Sequence, residues 1–171
     1  LESIKNQIGH FGIELVWVND GSTDQMSGML KEELRQFNRT TRFCKVVYMR
    51  NEKNKGLSFS LNRAVQSCSN EVIFRMDADD IMFPTRIQKQ LEFMNNNVDC
   101  MMCGTNIRMI TDQKKMMETT TNHPTIVMLE DFMEHPRNWF MNHPTLCFRK
   151  SAIMSIGNYN DKMRSEEHTS E

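Results

Sequence analysis

The sequence predicts an α/β fold: a mainly parallel, twisted, Rossmann-like sheet with helices on both faces. Three observations carry that expectation. Short runs rich in β-branched residues occupy positions 13–18, 44–49 and 72–74. Between them lie segments with apolar residues at three- and four-residue spacing, the period of a helix with one buried face. The runs empty into polar loops carrying Gly, Asn, Asp or Lys, and strand ends of this kind are where ligands sit in open α/β sheets.

The chain has 171 residues, enough for one domain with a real core. Its formal net charge is −1 with 25% charged residues, which gives no electrostatic footprint for nucleic acid or an anionic membrane. No apolar run reaches the roughly 20 residues of a membrane span, and the N-terminus lacks the pattern of a signal peptide. A soluble, cytoplasmic or cytosol-facing protein is the expectation. The five cysteines are an odd number in scattered apolar contexts, so reduced, buried thiols fit best. Cys100 and Cys103 have the spacing of a zinc half-site or a redox pair, but no second such pair completes a tetrahedral set, and two core thiols on a strand are the simpler reading. The sixteen methionines are spread along the chain and read as adaptable core filler.

In chain order, residues 1–7 carry Leu1 and Ile4, with Ile8 following, at helical spacing, and Gly9 can stop that helix. The strand at 13–18 ends at Asn19, Asp20, Gly21, Ser22, Thr23 and Asp24, where Gly21 allows an unusual backbone angle and Ser22, Thr23 or Asp24 can cap a helix. Met26, Met29, Leu30, Leu34 and Phe37 then form an amphipathic helix to about Arg39. After the strand at 44–49 comes a polar loop at 51–56, then a helix on Leu57, Leu61, Ala64 and Val65 with Ser58 as a possible cap. The strand at 72–74 runs through Arg75 and Met76 into Asp77, Ala78, Asp79 and Asp80.

Pro84 opens the next helix, built on Ile87, Leu91, Phe93 and Met94 and stopping near residues 95–97. Residues 98–104 read as a strand with 106–110 as a possible hairpin partner. Residues 111–122 read as a polar, threonine-rich surface loop. A short helix at 126–132, an apolar patch at 139–141, a strand at 145–149 and a helix at 151–156 closed by Gly157 complete the pattern.

The acidic loop is the feature most suggestive of chemistry. Carboxylates crowded at a strand end repel one another unless a cation lies between them, so a divalent metal is one reading and a solvated turn with Asp80 near a helix N-terminus is the other. The loop at Asp20 is open in the same way between a turn with a cap and a ligand contact.

Four motifs in order resemble the family 2 glycosyltransferases of GT-A fold: Val18 to Asp24; Asn54-Lys55-Gly56 with Ser58, Leu61, Asn62 and Ala64; Asp77-Ala78-Asp79-Asp80 followed by Pro84, Arg86 and Gln90; and His143-Pro144, Arg149-Lys150-Ser151 with Ile156-Gly157-Asn158-Tyr159. The resemblance implies a site for a nucleotide-sugar donor, expected to be a UDP-sugar. It puts Asp20, Gly21, Ser22, Lys55, Gly56 and Asp77 at the nucleotide-sugar, and Asp79 with Asp77, a DxD motif, at a Mn²⁺ or Mg²⁺ ion bridging the diphosphate. Transfer to an acceptor hydroxyl would be metal-dependent and inverting, with a carboxylate taking the acceptor's proton. The acceptor, whether glycan, lipid or protein, is left open, and His143 is either on its side of the site or a backbone-bonded histidine.

The chain departs from the family at both ends. The resemblance implies a further apolar strand before Leu1, central in the sheet, and an acidic pair after Tyr159 whose Asp would be the base. Residues 1–164 are therefore expected to be a partial GT-A domain truncated at both ends and 165–171 a polar tail outside the fold. The base is expected beyond Glu171, with Glu167 as a poor stand-in, and the 171-residue chain is expected to lack turnover of a UDP-sugar. The rival classes are a receiver-like Mg²⁺-binding module and a sugar nucleotidyltransferase.

Overall fold

The computed structural model describes residues 1–23, 26–40, 44–111, 116–120 and 141–160. Their elements are α1 (Glu2–Lys5), β1 (Ile13–Asn19), α2 (Met26–Thr40), β2 (Cys44–Arg50), α3 (Leu57–Ser67), β3 (Val72–Phe74) and α4 (Arg86–Asn96). Then follow β4 (Met102–Cys103), β5 (Arg108–Ile110), β6 (Met116–Thr120), a 3₁₀ turn (His143–Thr145), β7 (Cys147–Arg149) and α5 (Lys150–Ser155).

β1 and β2 pair in parallel, in register from Ile13 opposite Cys44 to Asn19 opposite Arg50. A parallel pair needs a long crossover, and α2 supplies it. β7 lies between β3 and β4 and is antiparallel to both. The architecture is thus mixed α/β. The antiparallel placement of β7 is not foreseeable from local pattern, because a strand's partner is chosen by tertiary packing.

Helix periodicity explains the buried faces. α2 buries Leu34 and Phe37, and α4 buries Ile87, Gln90 and Met94, one stripe at three- and four-residue steps. Val65 of α3, Leu146, Phe148 of β7 and Ile153 of α5 form the core cluster, flanked by Ile73, Met102, Met141 and Tyr159. Burying a side chain such as Phe148, Leu34 or Met94 contributes about 1.5–3 kcal/mol each.

Several sequence expectations change. α3 is capped at Gly56, with Ser58 already inside the helix, because the positive φ of +91° at Gly56 makes the entry turn. Of residues 98–104 only Met102–Cys103 is strand, and Val98 is 70% exposed. Residues 106–110 do not pair with that strand; β5 pairs with β6, which lies inside the stretch expected to be loop. Met29, counted on the apolar face of α2, is exposed. The α2 cap at Asp24, the segment 126–132, Trp139, Phe140 and the tail 165–171 lie outside the described residues.

β1 and β3 do not hydrogen-bond to each other. Between them runs an apolar slot of about 610 Å³ lined by residues 13–18 on one side and 72–78 on the other. Successive strand residues point to opposite faces, so consecutive lining residues mean that both strands present an edge to the slot.

Candidate functional site

On one side of the slot the site is built at the ends of β1 and β2. Asn19 is buried; its backbone carbonyl accepts the Asn51 amide at 2.8 Å and its side-chain oxygen accepts the Ser22 amide at 2.8 Å. Gly21 has φ of +81°, and a Cβ there would fall 2.6 Å from the Lys53 carbonyl carbon, so only glycine lets the two loops meet. One Asp20 oxygen accepts Asn51 Nδ2 at 2.7 Å and the Lys55 amide at 2.9 Å; the other accepts the Gly56 amide at 2.9 Å. Asn51 Nδ2 also donates to Ser60 Oγ at 3.0 Å, and its oxygen accepts Arg63 Nη1 at 2.6 Å. Burial favours the neutral carboxyl of Asp20, yet the bonds from Asn51, Lys55, Gly56 and Ser60 together outweigh it and hold its pKa below the usual value. Asp20 therefore fixes the loop at the start of α3, a helix end that favours negative charge.

On the other side, β3 runs into Arg75, whose amide donates to the Leu146 carbonyl at 2.8 Å. The Arg75 side chain is 7% exposed and grips Asp77 with two bonds, Nη2 to Oδ1 at 2.6 Å and Nη1 to Oδ2 at 3.2 Å. Its Nε has no hydrogen-bond partner among the described residues. Arg86 Nη2 donates to the Arg75 carbonyl at 2.8 Å, and Arg86 Nε donates to Gln90 Oε1 at 2.9 Å. The turn closes through the Asp80 amide on the Asp77 carbonyl at 3.3 Å. Asp79 is exposed. The Asp80 pKa is raised, by burial first and then by the negative charges of Asp77 and Asp79, only partly offset by Arg75 and Arg86.

Those charges test the fit of a cation. No group of three metal-ligating side chains stands ready among the described residues. A Mg²⁺-type site needs only one or two carboxylates when phosphates and water supply the rest, and a loop in which Asp77 and Asp79 crowd Asp80 with negative charge suits such an ion. Asp79 and Asp77 fit that limited role.

A third group lies at the far end. His143 Nε2 is 3.3 Å from the Tyr159 hydroxyl, with the rings edge to face at 5.7 Å. Asn62 holds the Tyr159 backbone by two bonds of 2.8 Å, Nδ2 to its carbonyl and Oδ1 from its amide. Burial raises the Tyr159 pKa against the charge of Arg75. Ser60, Asp77 and Tyr159 all line the slot.

The structure thus brings Asp20, Gly21, Lys55 and Gly56 together on one side and Asp77, Asp79 and Asp80 on the other. Ser22 follows Gly21 in the first loop, its amide donating to Asn19 Oδ1 at 2.8 Å and its carbonyl accepting Arg50 Nη2 at 2.9 Å. Glu166 and Glu167 lie outside the described residues. Sequence reasoning gave no role to Arg75 or Asn51. The signal for Arg75 was there: an arginine inside an apolar run needs a partner, and the acids that follow supply one.

The glycosyl transferase family 2 model matches residues 1–157. An O-antigen biosynthesis glycosyltransferase of Escherichia coli, WbnJ, is 32% identical over 171 residues, covering 98% of this chain and 62% of that protein. A UDP-Gal:alpha-D-GlcNAc-diphosphoundecaprenol beta-1,3-galactosyltransferase of Escherichia coli is 26% identical, covering 68% of this chain and 42% of the relative. Among solved structures, S. aureus TarS 1–349 superposes with a TM-score of 0.64 at 20% identity, over 97% of this chain and 47% of TarS, a likeness of fold. The chain spans less than two thirds of each of these proteins.

Proposed function

The chain belongs to glycosyl transferase family 2, and from that membership we propose that it is the donor-binding part of an inverting, metal-dependent glycosyltransferase acting on a UDP-sugar. The membership sets aside the receiver-like and nucleotidyltransferase classes. The observation that supports the donor site is the pair of loops at the ends of β1 and β3, one ordered by Asp20 and the other crowded with Asp77, Asp79 and Asp80, with Asp77 lining the slot between those strands. The galactosyltransferase relative, whose name specifies UDP-Gal, supports uridine as the nucleotide.

Each residue then has a task. Asp20 holds Lys55 and Gly56 so that their loop can border the nucleotide, with Gly21 and Ser22 completing that wall. Asp77, oriented by Arg75, faces the ribose and sugar hydroxyls as an acceptor. Asp79, with Asp77, would hold a Mn²⁺ or Mg²⁺ ion. When bound, that ion stabilises the charge growing on the diphosphate leaving group. The acceptor hydroxyl's proton goes to a carboxylate that none of these residues supplies. The acceptor itself, glycan, lipid or protein, is left open. No helix among the described residues is long and apolar enough to cross a membrane.

Calorimetry of the 171-residue chain with UDP, GDP and ADP, with and without Mn²⁺, tests the proposal. UDP is expected to bind best, only with Mn²⁺, and at least tenfold more weakly after Asp79→Ala. UDP binding that persists unchanged in Asp79→Ala overturns the metal role, and equal binding of all three nucleotides overturns the donor.

A further inference from the structure

We propose that Cys103 and Cys147 are an oxidation site: a thiol pair that closes into a reversible intramolecular disulfide across β4 and β7. The two residues stand directly opposite in the antiparallel pairing of those strands. Two positions along, the Arg149 amide donates to the Met101 carbonyl at 2.9 Å, so by the alternation of an antiparallel ladder Cys103 and Cys147 are also a hydrogen-bonded pair. Such pairs have Cα atoms about 5.5 Å apart, inside the roughly 4.4–6.8 Å that a disulfide spans, and their side chains share one face of the sheet; their Cβ atoms stand near the wide end of about 4.5–5.5 Å, so the short β4 must draw in by about an ångström as the bond closes. Both thiols are free.

Their surroundings divide the labour. Cys103 is half-buried, while Cys147 is 0% exposed. Gln90 Nε2 lies 3.7 Å from Cys103 Sγ and also donates to the Thr145 carbonyl at 3.0 Å, which holds the amide against the sulfur. The neighbouring Cys147 thiol, then the Gln90 amide and the charge of Arg86, draw the Cys103 pKa down against its burial. Cys147 is pushed up by the same partnership and by burial. Cys103 is therefore the attacking thiolate and Cys147 the resolving thiol. Cys100, the nearer cysteine in sequence, turns its thiol to the Met102 carbonyl at 3.2 Å, and burial raises its pKa.

The oxidant is a small disulfide such as oxidised glutathione. Cys103 attacks one of its sulfurs, breaking the sulfur–sulfur bond and releasing one glutathione thiolate. Cys147 then gives up its proton and attacks the Cys103 sulfur, releasing the second. The protein loses two electrons, the glutathione disulfide gains them, and the two protein protons end on the two glutathione thiols.

The test treats the 171-residue protein with oxidised glutathione near neutral pH, blocks remaining thiols with an alkylating agent and maps the peptides by mass spectrometry. A peptide linking Cys103 to Cys147 is expected, with thiols titrated after denaturation falling from five to three. A link between Cys100 and Cys103, stable glutathione on Cys103 of the unmodified sequence, or retention of all five thiols overturns the proposal. Cys147→Ala is expected to stop at the mixed disulfide on Cys103. The peptide map of the unmodified sequence decides the matter if that variant fails to fold.

Discussion

At the scale of single residues, Asp20 and Asp80 are the same chemical group pushed in opposite directions. Asp20 is ionised more readily in the fold than in the unfolded chain, so its stabilisation is present above the ordinary value of 3.8 and is lost as pH falls through its lower folded pKa. Asp20→Asn replaces one acceptor oxygen by an amide that must face the Asn51 amide and the Lys55 N–H, or the Gly56 N–H, donor against donor. A loss of about 1–3 kcal/mol in urea unfolding at neutral pH is expected, together with a shallower acid-unfolding arm. Asp80 has the reverse sign: its folded pKa is raised, so the fold is penalised above that value and relieved as pH falls towards 3.8. Asp80→Asn should raise the urea midpoint at neutral pH, and the difference should close in acid. A lower midpoint for Asp80→Asn at neutral pH would contradict the crowding of charge in that loop. Gly21→Ala meets both a positive φ and the Lys53 backbone, and about 1–3 kcal/mol of destabilisation is expected by the same measurement.

Among elements, the informative contact is at the end of the sheet away from the site. Glu14 of β1 keeps a side chain 5% exposed and accepts Lys45 Nζ of β2 at 2.9 Å, Ser69 Oγ at 2.9 Å and the Ser69 amide at 2.6 Å. It ties β1 to its partner strand and to the turn after α3. Burial opposes its ionisation, but those bonds together lower its pKa. Lys45 is 66% exposed and can return to water, so Lys45→Ala should cost under about 1 kcal/mol, whereas Glu14→Ala strands the Ser69 donors and should cost about 1–2 kcal/mol. Equal losses in the two variants would show the ion pair, and not the capped turn, to be the stabilising contact. β1, β2 and α2–α4 are legible in sequence because Val16, Val18, Val46 and Val47, and then Leu34, Phe37, Ile87 and Met94, write their period locally. β6 is not, since its Met-Met-Glu-Thr-Thr has no alternation and gains its strand state from pairing with β5. The acids of the site were legible as a cluster at a strand end. Arg75, two residues before Asp77, is a partner that local sequence could show, whereas the contact of Asn51 with Asp20 and the meeting of Cys103 with Cys147 depend on which strands pair, which no local spacing records.

For the whole molecule, the slot between β1 and β3 governs which backbone groups are held by protein and which by solvent. β7 is paired on both edges and carries Cys147 and Phe148 at 0% and 1% exposure, so its amides can exchange only when the β3–β7–β4 sheet opens. β1 has β2 on one edge and the slot on the other. In a parallel pair every second amide of a strand points to a given neighbour, so the amides of β1 should divide into two alternating sets. One set, bonded to β2, should be protected; the other, facing the slot, should exchange faster by about two orders of magnitude or more, the difference between a bonded amide and one open to water by local motion. Residue-resolved hydrogen exchange by NMR reads this directly. Uniform protection along residues 13–18 would mean that the slot-facing edge is satisfied by another group, and the two strand-end loops would then be joined by more than the helices beneath them. The alternating pattern makes the relative position of the Asp20 and Asp77 loops depend on α3 and on its Asn62 clasp of Tyr159. Asn62→Ala should then loosen nucleotide binding without touching the nucleotide, seen as weaker UDP binding with the urea midpoint lowered by about the worth of two hydrogen bonds, roughly 1–3 kcal/mol.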